Sequence, residues 1–236
     1  MTEPRSKRAK RAAAAAGIAG PAAFTGAWIV GSLRQTGHPA ADIQLSGLAA
    51  ADARDPWIML AGFLVLGGCT VAFGGALHDA LGGGGRALGG AGAGLAPRLI
   101  QGAGLLTIAA GLLRRDHMLL TSGSVSWHNH AHDVVSAVIY ADLVLAQVLL
   151  AVRFGRDSAL LGPGSRAWRA WLMVSAIGTA AVLIAFAADT SAAGAGILQR
   201  AAVSIPLAAI AAISVRLLRA PAAQDSGDVP LAVIRG

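Results

Sequence analysis

The sequence predicts an all-α membrane protein, a bundle of six transmembrane helices with both termini in the cytoplasm. Three observations carry this. Of 236 residues, 55% are hydrophobic and 13% charged, with a mean hydropathy of +0.62, too little polar surface for a water-soluble domain. Six apolar stretches approach the roughly 20 residues needed to cross a bilayer. The 19 Lys and Arg residues fall unevenly on alternate connections, 14 on the side of the N-terminus and 5 on the other. By the positive-inside rule that imbalance sets the orientation. The same dispersal argues against nucleic acid as the partner of the +7 net charge, because no single basic patch forms. A lone cysteine, Cys69, excludes an intrachain disulfide framework and a Cys-based metal site. The 31 glycines suit close helix–helix contact in lipid.

Taken in order, residues 1–11 form a basic cytoplasmic tail carrying Arg5, Lys7, Arg8, Lys10 and Arg11. The membrane domain spans 12–219. Its first helix runs from Ala12 to about Leu33, long enough to be an uncleaved span rather than a signal peptide, with a modest bend expected at Pro21. Residues 34–56 are polar, and Asp42 to Ala51 suits a short interfacial helix. Trp57 opens the second helix, which reaches about Leu77. A Gly-rich linker, 82–94, follows; it lacks the Gly-x-x-x-x-Gly-Lys-Ser/Thr pattern of a phosphate-binding loop. The third helix covers about Leu95 to Leu113. Arg114-Arg115-Asp116-His117 lies in the next loop and reads as a solvated run. The fourth helix extends from near Asn129 to Val152, the fifth from Trp168 to Ala188, the sixth from Ile197 to Leu218. Residues 220–236 mix Pro, Gly, Ser and Asp and read as a disordered cytoplasmic tail. Trp28, Trp57 and Trp127 mark the outer interface, Trp168 and Trp171 the inner one.

The most chemical stretch is Ser126-Trp127-His128-Asn129-His130-Ala131-His132-Asp133, where a polar loop turns into the fourth helix. His128 and His132 stand four apart, on one helical face, and Ser136 and Tyr140 continue that stripe inward. Two imidazoles at this spacing suit a zinc-like divalent metal, with a third ligand from Asp42, Asp116 or Asp189. Such a site, with Asp133 orienting an imidazole and Ser46 in the same pocket, would support hydrolysis or transfer on a lipid or amphiphile. The alternative is that these groups only cap the helix and bond the loops. Asp142, near the middle of the fourth helix, is a second catalytic candidate or a proton site, since an acid at that depth is costly; otherwise it holds the bundle together. Gln199 and Arg200 open the sixth helix and reach toward the same outer mouth. His130 points elsewhere.

The order of these features resembles a bacterial six-helix membrane family known as domain of unknown function 998, particularly its actinobacterial branch. The resemblance covers about Ala12 to Arg219. Its residues are Ser46-Gly47-Leu48-Ala49 before the Trp-led second helix, Asp116, the Ser126–Asp133 segment, and Gly196-Ile197-Leu198-Gln199-Arg200. The glycine usual after the first histidine is Asn129 here. The resemblance implies a fold and a bacterial inner-membrane location, not an activity, and it marks His128, His132, Asp133, Gln199 and Arg200 as site residues, the last two as a cofactor- or ligand-binding pair. Membrane lipids are the expected partners, with a homo-oligomer or a protein partner also open. Three functions remain in view: a metal-assisted enzyme, a non-enzymatic lipid- or partner-binding module, and a small transporter.

Overall fold

In a bilayer, backbone amides have no water to bond, so each apolar stretch closes its hydrogen bonds within itself as a helix. The computed structural model describes residues 5–81, 92–119, 125–154, 165–188 and 193–219. Six helices follow in order: α1 (Arg5–Arg34), α2 (Pro56–Ala80), α3 (Gly92–Leu112), α4 (Trp127–Phe154), α5 (Ser165–Ala188) and α6 (Ala195–Arg219). All six are long and apolar enough to cross a membrane, and no strand occurs among the described residues. The chain is therefore an all-helical, multi-pass membrane protein. α1 begins at Arg5, so part of the basic segment read as a tail is helical, and α1 continues through Pro21 without a break. Most of the Gly-rich linker (82–91), Asp189 and the 220–236 tail lie outside the described residues.

Each helix packs on its sequence neighbour, and α6 returns to α1, so the bundle closes into a ring; α2 and α4 also touch α6. The outward face is apolar, with Leu33, Leu105, Val174, Ile177 and Ile184 exposed, as a lipid-facing surface should be. Lipid gives no hydrophobic drive for helices to associate, so close contact between small residues matters more. α2 and α3 show this: a Cβ at Gly67 would lie 2.6 Å from the Gly104 carbonyl oxygen, and one at Gly104 2.8 Å from that of Gly67.

The α1–α2 connection departs from expectation. A helix over 42–51 was expected at the interface, but only a 3-10 turn, Ser46–Ala49, forms, and the chain from Ile43 to Ala50 is buried. The segment folds inward over the mouth of the bundle, where its backbone groups find partners on other elements. Asp55 then adopts the left-handed conformation (φ 54°) ahead of Pro56, the first residue of α2, a position that tolerates proline's missing N–H. Arg34 at the end of α1 pairs with Asp55, and the Gln35 amide bonds both the N–H (3.0 Å) and the carbonyl (2.9 Å) of Arg54.

Candidate functional site: a capped cavity

At one end of the bundle the α1–α2, α3–α4 and α5–α6 connections are laced into a cap. The start of α6 holds the first of them. Gln199 Oε1 accepts from Leu45 N (2.5 Å) and Ser46 N (3.4 Å). The Arg200 guanidinium donates to the carbonyls of Ala40 (2.7 Å) and Ile43 (2.9 Å) and to Ser32 Oγ (2.8 Å), and stacks 5.2 Å from the Trp28 ring. Asp42 Oδ1 accepts Gly194 N at 3.0 Å. A side chain at Gly196 would collide with the carbonyls of Ala41 and Ile43, and one at Gly47 with that of Met118. Glycine at both places lets backbone lie on backbone.

The α3–α4 connection closes the other side. Arg114 donates to the Ala49 (3.1 Å) and Ala50 (3.5 Å) carbonyls, Arg115 to Gln44 Oε1 (2.7 Å), and Met118 N to Asp52 Oδ1 (2.7 Å). The run 114–117, read as solvated, thus ties two connections together, with His117 Nδ1 3.5 Å from Asp52. Ser126 caps α4, its Oγ accepting Asn129 N at 3.4 Å. Its own N–H (2.6 Å) and hydroxyl (2.8 Å) both go to Asp116. Those two bonds hold the Asp116 carboxyl below its ordinary pKa.

Beneath the cap lies a cavity with an open volume of about 70 Å³, several times the roughly 10–15 Å³ that one water needs. Phe24, Phe63, Leu66, Leu143, Leu207 and Ile210 supply apolar wall, and Ser46, His132, Ser136, Tyr140 and Gln199 supply polar groups. Among the described residues, no Asp, Glu, Lys or Arg lines it. His132 is buried (3% exposed) and edge-on to Phe63. Its Nδ1 lies 2.8 Å from the Ala110 carbonyl and 2.9 Å from that of Leu113. Both partners are acceptors, so Nδ1 carries the proton and caps the last turn of α3. Nε2 is then an acceptor with no hydrogen bond among the described residues. Ser46 is as deeply buried (3% exposed), and its Oγ has no partner among the described residues. An unbonded buried hydroxyl costs about 1–3 kcal/mol.

The structure brings His132, Ser46 and Gln199, with Ser136 and Tyr140 of the inward stripe, to one cavity and leaves the other expected residues it describes in the cap or elsewhere. His128, one turn before His132, is exposed; it packs on Trp127 (4.6 Å between centroids), and its Nδ1 lies 2.7 Å from Ser126 Oγ. Asp133 is exposed, 3.4 Å from Arg115 and accepting from Asn129 Nδ2 at 3.1 Å. Asp42 and Asp116 bond Gly194 and Ser126 as described above. No three His, Cys, Asp or Glu side chains among the described residues gather as an ion's ligands would. Asp142 is half-buried against α3, its Oδ2 3.4 Å from where a Cβ on Gly102 would sit; it is not in the cavity wall. His130 is exposed. The sequence reading missed Asn129, a buried bridge between Asp116 N (3.4 Å) and Asp133. Its place three residues after a serine cap was the available signal.

Fold and site together define a multi-pass helical-bundle membrane protein with a capped, uncharged central cavity. The family described as Protein of unknown function (DUF998) matches residues 18–216, and the chain belongs to that family. No curated protein and no solved structure gave a match. The matched span takes in Gly47, Asp116, His132 and Gly196, each a piece of the cap or its cavity.

Proposed function

We propose that this protein is a non-enzymatic membrane module that binds a lipid-like amphiphile in the cavity beneath its cap. The observation that carries the reading is the cavity itself. An apolar chamber with a few convergent polar groups is the general form of a small-molecule site, and this one opens within a lipid-solvated bundle. The metal-assisted alternative needs three converging donors, whereas His128, Asp42, Asp116 and Asp133 are each bonded elsewhere in the cap. The transporter alternative would use Asp142, which stands outside the cavity wall.

Photolabelling tests it. A long-chain alkyl probe carrying a diazirine should label cavity residues of the purified protein, and Val203→Trp, which fills the chamber from α6, should remove most of that labelling while the protein stays monodisperse. Labelling confined to outward residues such as Val174 and Ile177, or untouched by Val203→Trp, overturns the reading.

The 14-to-5 distribution of Lys and Arg supports placing both termini in the cytoplasm of a bacterial inner membrane, with the cap outside. A reporter fused after Arg219 is then cytoplasmic and one inserted at Gly123 extracytoplasmic; both on one side would refute this orientation.

A further inference from the structure

We propose that the cavity selects an amphiphile with a neutral, hydroxyl-bearing head group, such as a long-chain alcohol or an acylglycerol, over one with a phosphate or carboxylate. This rests on the reading of the cavity as an amphiphile site. Ser46 of the cap, His132 of α4 and Gln199 of α6 line its wall, beside the hydroxyls of Ser136 and Tyr140. Among the described residues, Ser46 Oγ is buried with no partner, and neither His132 Nε2 nor Gln199 Nε2 makes a hydrogen bond. His132 has committed Nδ1 to α3, so it offers an acceptor. Gln199 has committed Oε1 to two backbone amides, so it offers a donor. The Ser46 hydroxyl does either. A head-group hydroxyl, itself one donor and one acceptor, matches that set. Thr107, by contrast, spends its hydroxyl on the Ala103 carbonyl at 2.7 Å.

Charge selects in the same direction. The nearby cations are all engaged outside the cavity: Arg114 and Arg200 on backbone carbonyls, Arg115 on Gln44 and Asp133. An anionic head group would enter a chamber with no counter-ion and lose its hydration without compensation. The unbonded Ser46 hydroxyl costs stability in the ligand-free protein, and a bound hydroxyl would offset that cost.

The test uses three photoreactive probes with one chain: an alcohol, its phosphate monoester and the parent alkane. Wild-type protein should be labelled best by the alcohol. Ser46→Ala should lower alcohol labelling roughly two- to tenfold, the worth of one hydrogen bond, and leave the alkane unchanged. The same variant should raise the melting temperature of the ligand-free protein, because it removes an unpaired buried hydroxyl. Equal labelling by alcohol and phosphate, or a Ser46→Ala variant that melts lower and binds the alcohol as before, overturns the head-group inference and leaves the cavity reading standing. Cavity labelling by none of the probes overturns both.

Discussion

At the capped end, Arg114, Arg115, Gln199 and Arg200 each reach to a backbone or side-chain partner at least 64 residues away in sequence. At the opposite end the helices meet chiefly through buried Phe73, Leu77, Leu150, Phe154 and Leu172. Arg153 capping the Leu81 carbonyl (2.9 Å) and Ser214 bonding that of Ala14 (2.5 Å) are polar ties described there. The difference teaches where this bundle gains its specificity. Apolar packing adapts to many shapes at small cost, whereas directed hydrogen bonds to carbonyls fix the cap in one register above the cavity.

The comparison breaks most visibly at His132. His132→Ala removes a buried ring and strands the Ala110 and Leu113 carbonyls, so it should destabilise the protein by roughly 2 kcal/mol in denaturant titration. Ser214→Ala, at the opposite end, should cost nearer about 0.6 kcal/mol, typical of one hydrogen bond between transmembrane helices. His128→Ala, exposed and outside the cavity, should fall within about 0.5 kcal/mol of wild type. Equal losses at His128 and His132 would return the two histidines to a shared role.

A smaller, pH-dependent effect sharpens the same contrast. The Ser126 N–H and hydroxyl depress the Asp116 pKa below its ordinary 3.8. A carboxylate depressed by folding stabilises the folded state above its unfolded pKa, and that contribution is lost as pH falls through the lower folded value. The start of α4 should therefore loosen in acid below about pH 4, seen as a step in Trp127 fluorescence. Asp116→Asn should abolish the step. A step that persists in Asp116→Asn would assign it to another carboxylate.

The sequence by itself determined the six helices, and for a local reason: about 20 apolar residues in lipid have few other ways to satisfy their backbone. It also singled out Ser46, His132 and Gln199, which the fold brings to one cavity. What it left open was which groups are spent and which are free. His128 and His132 share a nominal helical face, yet one is exposed and the other lies under the last turn of α3, because burial at a helix start depends on what the neighbouring chain covers. Arg114 to His117 read as a solvated run because the carbonyls they bond belong to a connection more than 60 residues earlier. Gly47 and Gly196 stood in the recognisable segments, but their reason is the backbone that lies against each. Pairings over such separations depend on how the helices close their ring, and only the tertiary structure decides that.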